Sequence, residues 1–328
     1  METLINAQGR IDWGIYDEPV KNVNYLDFCL QTPMGLEIPK SLKRILANQF
    51  HFVGIIGPEI IGGLAVVDLK FLANGFFYLY DRQAKCIYEA KALAVSGVSI
   101  RPTPEQPLSS FSSGGLKINI DSLHVSAKGK KISLQLDLDA QGTRPLRICT
   151  RAGYRGWVYT QKTSPVGVRG SARIGDKQIE ISSPSTQALT DWTCGYMRRK
   201  TCWNWAASAF TLPDGRSLGL NLSCGVNETS FTENAFWIDG AMTKVDTVNY
   251  IFDKHDLMRP WLIASFDKKV DLTFHPEASR SEKINAGFVA SRFTQLIGMF
   301  EGVLKTDNGE VIRIKDCPGF AEDHYAKW

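Results

Sequence analysis

Residues 191–240 crowd together four tryptophans (Trp192, Trp203, Trp205, Trp237), the basic run Arg198-Arg199-Lys200 and the carboxylates Asp191 and Glu233. Burial disfavours the charged form of a carboxylic acid set among tryptophans. Its pKa therefore rises, and it becomes a proton donor near neutral pH. Indole faces beside such an acid stabilise positive charge developing on a bound molecule. On this chemistry Asp191, Tyr196 and Glu233 are candidate catalytic groups, and Arg198, Trp203, Trp205 and Trp237 candidate ligand contacts. The same residues also fit a plain structural role, with Asp191 capping a turn and the tryptophans filling a sheet core.

Two further groups stand out. Glu322 and His324, followed by Trp328, put a histidine beside carboxylates, the pattern of a general base or of a hydrogen-bond anchor. The competing reading is a tail docked by a structural salt bridge. Asn221 sits between Leu220 and Leu222 and must point opposite to them, toward a cavity or toward solvent. Asn234 follows Glu233 and is a ligand candidate of the same kind.

The elements that must carry these groups are strands. Asp214-Gly215 is a hairpin turn followed by alternating Leu218, Leu220 and Leu222. Strand-like runs at 60–69, 75–80, 85–94, 116–120 and 132–138 are separated by Gly, Asn or Asp, and Gly175-Asp176 turns another pair. Helical spacing is confined to 39–50, where Leu42, Ile45 and Leu46 should face inward with Lys43 and Arg44 outward. The Pro/Ser/Gly-rich stretch 101–115 predicts a loop, and Ser182-Ser183-Pro184-Ser185 the boundary between domains 1–184 and 185–328. So many antiparallel strands favour closure into one barrel or two, which removes exposed sheet edges.

Composition excludes several classes. A net charge of +4 with dispersed basic residues argues against nucleic acid as a partner. The beginning lacks the basic and apolar regions of an export signal, and the apolar stretch 52–67 is interrupted by Gly, Pro and Glu, so no integral membrane segment is expected. Seven cysteines without a CxxC spacing predict reduced thiols in the cytoplasm and no zinc or other metal. No GxSxG elbow, GxGxxG or P-loop is present, which leaves neither a serine hydrolase nor a nucleotide cofactor. Seven of the eight tryptophans lie after residue 150, placing the ligand surface in the second half.

Several strings read together as a family. YTQKTSPVGVRG (159–170), DWTCGYMRRKTCWNWAAS (191–208), DGRSLGLNLSCG (214–225), TENAFWIDG (232–240), RPWLI (259–263), VDLTFHP (270–276) and AEDHYAKW (321–328) resemble the family known as domain of unknown function 2804. That family is distantly similar to two-barrel, lipocalin-like proteins such as hydroxyneurosporene synthase and tocopherol cyclase. The resemblance implies an all-β fold of two antiparallel, calycin-like barrels side by side with few short helices. It also implies a cavity in or between the barrels. By analogy, Asp191 would protonate a carbon during water addition to, or ring closure onto, a double bond, without a cofactor. The expectation is a protein that binds a small, largely apolar molecule in a tryptophan-lined cavity, as a hydratase or cyclase. A lipocalin-like carrier or sensor is the alternative, and a carbohydrate-active enzyme with paired carboxylates stands third.

Overall fold

Alternation carried through hairpin after hairpin folds the chain into two antiparallel sheets. The structure is a computed structural model that describes residues 1–226, 231–285, 287 and 289–327. Strand accounts for 64% of it. The first sheet has 13 strands, with Ala73–Asp81, Ile60–Asp68, Asn48–Ile56, Lys177–Tyr196 and Gly156–Ile174 adjacent in that order. The second has nine strands, running through Ser217–Cys224, Lys200–Thr211, Val311–Lys327, Ala290–Lys305 and Val270–Asn285. Each curls into a barrel-like body, giving the two-barrel all-β fold expected from the sequence.

Side-chain parity decides what each strand does. Val53, Ile55, Leu64, Val66 and Phe77 fill the first barrel, while Leu218, Leu220, Leu222, Ile263, Phe274 and Phe300 fill the second. Residues of the opposite parity face outward, and where the barrels meet they form a third apolar cluster. Tyr78, Leu189, Trp205, Ala207, Ile297 and Phe320 belong to it, with Phe52, Phe76 and Trp203 packed against it. Backbones touch at this seam. A methyl on Gly219 would lie 2.1 Å from the carbonyl oxygen of Ser164, so only glycine permits the approach. The Ser164 hydroxyl donates to the Ser208 carbonyl at 2.8 Å across the same seam.

Four details differ from the sequence reading. The helix is Lys40–Leu46, because residues 48–50 already belong to the strand Asn48–Ile56. Its orientation is inverted as well. Lys43 is buried beside Glu37 at 3.5 Å, and Leu42, Ile45 and Leu46 are about half exposed. The stretch 101–115 contains the strand Leu108–Ser113, a serine-rich strand held by buried Phe111 and by Ser109, whose hydroxyl bonds His51 at 2.8 Å. Ser183–Thr186 is no linker. It bulges out of the continuous strand Lys177–Tyr196, with the Ser183 hydroxyl accepting from Val168 N at 2.8 Å, and the second sheet begins at Lys200. The polar C-terminus lies within Val311–Lys327, paired on both sides by Lys200–Thr211 and Ala290–Lys305. All seven cysteines are free thiols, and no described helix is long and apolar enough to cross a membrane.

Candidate functional site

The outward faces of the two barrels do not close completely on one another. Between them lies a cavity of about 240 Å³. Phe50, Phe52, Val67 and Phe76 wall it from the first barrel, and Trp203, Trp205, Phe293 and His324 from the second. Register explains why polar groups collect there. In the first sheet Lys162, Asp191, Phe52, Ala65 and Phe76 stand in one row across five strands. In the second, Trp205, Glu322, Gln295 and Arg280 form a row across four. Neighbours in such a row share a sheet face.

The two barrels are joined beside these rows. Tyr78 of the first barrel donates its hydroxyl to Gln295 Oε1, and Gln295 Nε2 donates to Glu322 Oε1 at 2.6 Å. The Trp203 indole also hydrogen-bonds Glu322. Burial raises the Glu322 pKa to about 7; the bonds from Gln295 and Trp203 and the charge of Arg280 oppose the shift without cancelling it. Arg280 is buried, spans the seam to Glu89 through Nε at 3.1 Å, and stacks over Phe76 and Tyr78 at 4.5 and 4.6 Å.

At the other wall, buried Lys162 lies 2.5 Å from Asp191 and 3.5 Å from Glu233. Burial alone would lower the Lys162 pKa, but the two carboxylates outweigh it and the net shift is upward. Asp191 also accepts from Thr160 at 3.2 Å and Thr193 at 3.1 Å. All of these are bonds it receives, so its place is that of a charge partner. His324 packs on Trp203 with centroids 4.0 Å apart and the rings tilted at 51°, and bonds Ser291 at 2.9 Å through Nε2. Burial, then the charge of Arg280, lowers its pKa to about 3, keeping the ring neutral.

Of the groups singled out from sequence, Asp191, Arg198, Trp203, Trp205, Glu233, Glu322 and His324 line this one cavity. The remainder lie elsewhere. Tyr196 packs on Trp157 in the first barrel and donates to the Tyr25 carbonyl at 2.8 Å. Trp237 is fully buried at another part of the seam, its indole on the Arg144 carbonyl at 2.7 Å. Asn234 accepts from Ser223 N at 2.6 Å and holds a loop. Asn221 stands behind the cavity wall: it accepts the Trp205 indole N–H at 2.8 Å and donates to the Glu233 carbonyl at 2.7 Å. Trp328 is outside the described residues.

Sequence reading missed Lys162, Arg280, Gln295, Tyr78, Phe52 and Phe76. Lys162 lies in the polar run Thr160-Gln161-Lys162-Thr163-Ser164, so nothing local marked it as buried. Gln295 and Arg280 carried no signal either, because their meaning lies in cross-strand register. Among the described residues no group of three His, Cys, Asp or Glu is placed to hold a metal ion.

The family described as Domain of unknown function (DUF2804) matches residues 1–328, and the chain belongs to it. No curated protein matches the chain. Among solved structures, a Nitrosomonas europaea protein assigned to AttH is similar at 12% identity and a TM-score of 0.42, over 86% of this chain and 92% of its own. Kievitone hydratase from Nectria haematococca is similar at 7% identity and a TM-score of 0.47, over 86% and 88%.

Proposed function

We propose that this DUF2804 protein takes a small, largely apolar molecule between its barrels and moves a proton to or from it through Glu322. One observation carries the reading: a buried carboxyl with a pKa of about 7 inside a cavity walled mainly by aromatic and aliphatic groups. A general acid works best when its pKa lies near the working pH. The bonds Glu322 receives from Gln295 and Trp203 are both donated to it. Neither bond uses the proton of the neutral acid, which leaves it available for transfer. The reaction class that fits is addition to a carbon–carbon double bond. Glu322 gives its proton to one carbon, and water or an internal hydroxyl bonds the other. The proton released from that oxygen returns to the Glu322 carboxylate. Faces of Trp203 and Phe52 suit the cationic carbon in between. Free thiols at all seven cysteines suit a reducing compartment such as the cytoplasm.

The apolar walls equally favour a second reading, a carrier or sensor that holds the same molecule unchanged. The test is to extract whatever small molecule co-purifies, return it to the protein in deuterated water, and follow its mass. Proton transfer predicts stable deuterium incorporation that Glu322→Gln slows by roughly a hundredfold or more. Binding without incorporation in the wild type would favour the carrier.

A further inference from the structure

Arg280 has more donors than the protein uses. Its Nε and Nη2 both bond Glu89 Oε1. Those two nitrogens share one edge of the planar guanidinium, so Nη1 projects away from Glu89 with two N–H groups. Nη1 is buried and has no hydrogen-bond partner, the side chain is only 4% exposed, and Arg280 lines the cavity. A charged donor buried without an acceptor is costly and rare. Phe76, Tyr78 and Phe293 pack on the guanidinium at 4.5, 4.6 and 5.1 Å, so aromatic faces, which are poor acceptors, surround it.

We propose that the bound molecule carries a neutral oxygen acceptor, a carbonyl or hydroxyl oxygen, that docks on Arg280 Nη1 beside Glu322. This rests on the cavity being the binding site and adds the class of molecule. Charge decides between a neutral and an anionic oxygen. Glu89 already pairs with Arg280, and Lys91 lies 3.1 Å from Glu282 and 3.7 Å from Glu89. Glu322 is two strands away in the same row. An anion at Nη1 would thus meet Glu89 and Glu282 and two cations that these carboxylates already neutralise, with no spare positive charge to hold it. The rest of the molecule is apolar, because Phe50, Val67, Leu69, Leu72 and Leu93 make the adjoining wall.

Three probes of one shape test this: 2-ethylnaphthalene, 2-acetylnaphthalene and 2-naphthoate, titrated calorimetrically into the full-length protein. The acetyl compound is expected to bind roughly tenfold or more tighter than the ethyl compound, as a hydrogen bond to a charged donor implies, and tighter than naphthoate. Arg280→Lys should shrink that preference. The double variant Arg280→Met with Glu89→Gln, which leaves no buried charge behind, should abolish it while ethyl binding persists. Equal binding of ethyl and acetyl probes, or tightest binding of naphthoate, would overturn the proposal and leave the cavity as a binding site intact. Unchanged acetyl preference in both variants would also overturn it. If no probe binds, the cavity itself is misassigned and the proposal falls with it.

Discussion

Replacing Glu322 with Gln should make the protein more stable above neutral pH and little different in mild acid. The folded carboxyl titrates at about 7 against 4.5 for the free group, with burial as the main cause. Between those values the unfolded chain has released the proton while the folded one keeps it. Folded stability therefore falls as pH rises, by about 1.36 kcal/mol per pH unit over roughly 2.5 units, or about 3 kcal/mol in all. Below 4.5 both states are protonated and the penalty is absent; above 7 it is complete and constant. An amide keeps the shape, offers one acceptor oxygen where the carboxyl has two, and never ionises. Urea denaturation followed by tryptophan fluorescence, from about pH 4.5 to 8.5 at constant ionic strength, reads the difference as a midpoint shift at fixed slope. The stability of the variant minus that of the wild type should climb with pH and level off above 7, whatever constant offset the extra N–H introduces. A difference that is flat with pH, or that falls as pH rises, would refute the assignment of Glu322 as the near-neutral acid.

Three other outcomes follow from the same geometry. Trp205→Ala should cost roughly 3–5 kcal/mol in denaturant unfolding, because the indole stacks on Phe320 at 9° and is clamped by Asn221; Trp203→Ala, at a half-buried position, should cost less yet weaken binding of 2-acetylnaphthalene by calorimetry. His51 and His324 are buried and neutral, with pKa values lowered from 6.5 to about 4 and about 3. The unfolded chain gains protons they refuse, so stability should drop as pH falls below 6.5, and the double change to Gln should flatten that slope in the same urea series. Gly219→Ala should lower the melting temperature and probe affinity together, since its methyl meets the Ser164 carbonyl at 2.1 Å and must push the barrels apart.

What the sequence revealed and what it hid divide along physical lines. Strand alternation is local, so Leu218–Leu222 and 132–138 could be read directly, and the turn at Asp214-Gly215 fixed a hairpin. The helix at 39–50 misled because apolar spacing does not say which face has a partner. Lys43 found Glu37 and left Leu42 and Ile45 to solvent. At the site, Trp203, Trp205, Glu322 and His324 were visible as unusual residues, and the structure brings them together across paired strands. The sequence left two roles open for Trp203 and Trp205, contacting a ligand or filling a sheet core. Both line the cavity, and both belong to or pack against the apolar cluster where the barrels meet. Tyr78 and Gln295, 217 residues apart, meet only because two separate barrels dock, and a single sequence carries no trace of that distance.

The central claim is that the functional site lies between the barrels and in neither interior. A crystal structure of the full-length protein, as purified and after soaking with 2-acetylnaphthalene, tests it most directly. The account predicts ligand density between Trp203 and Phe52, with the ring system against Phe76 and an oxygen within hydrogen-bond reach of Arg280 Nη1 and Glu322. Density inside either barrel, or a cavity holding only water while the probe occupies another surface, would contradict it.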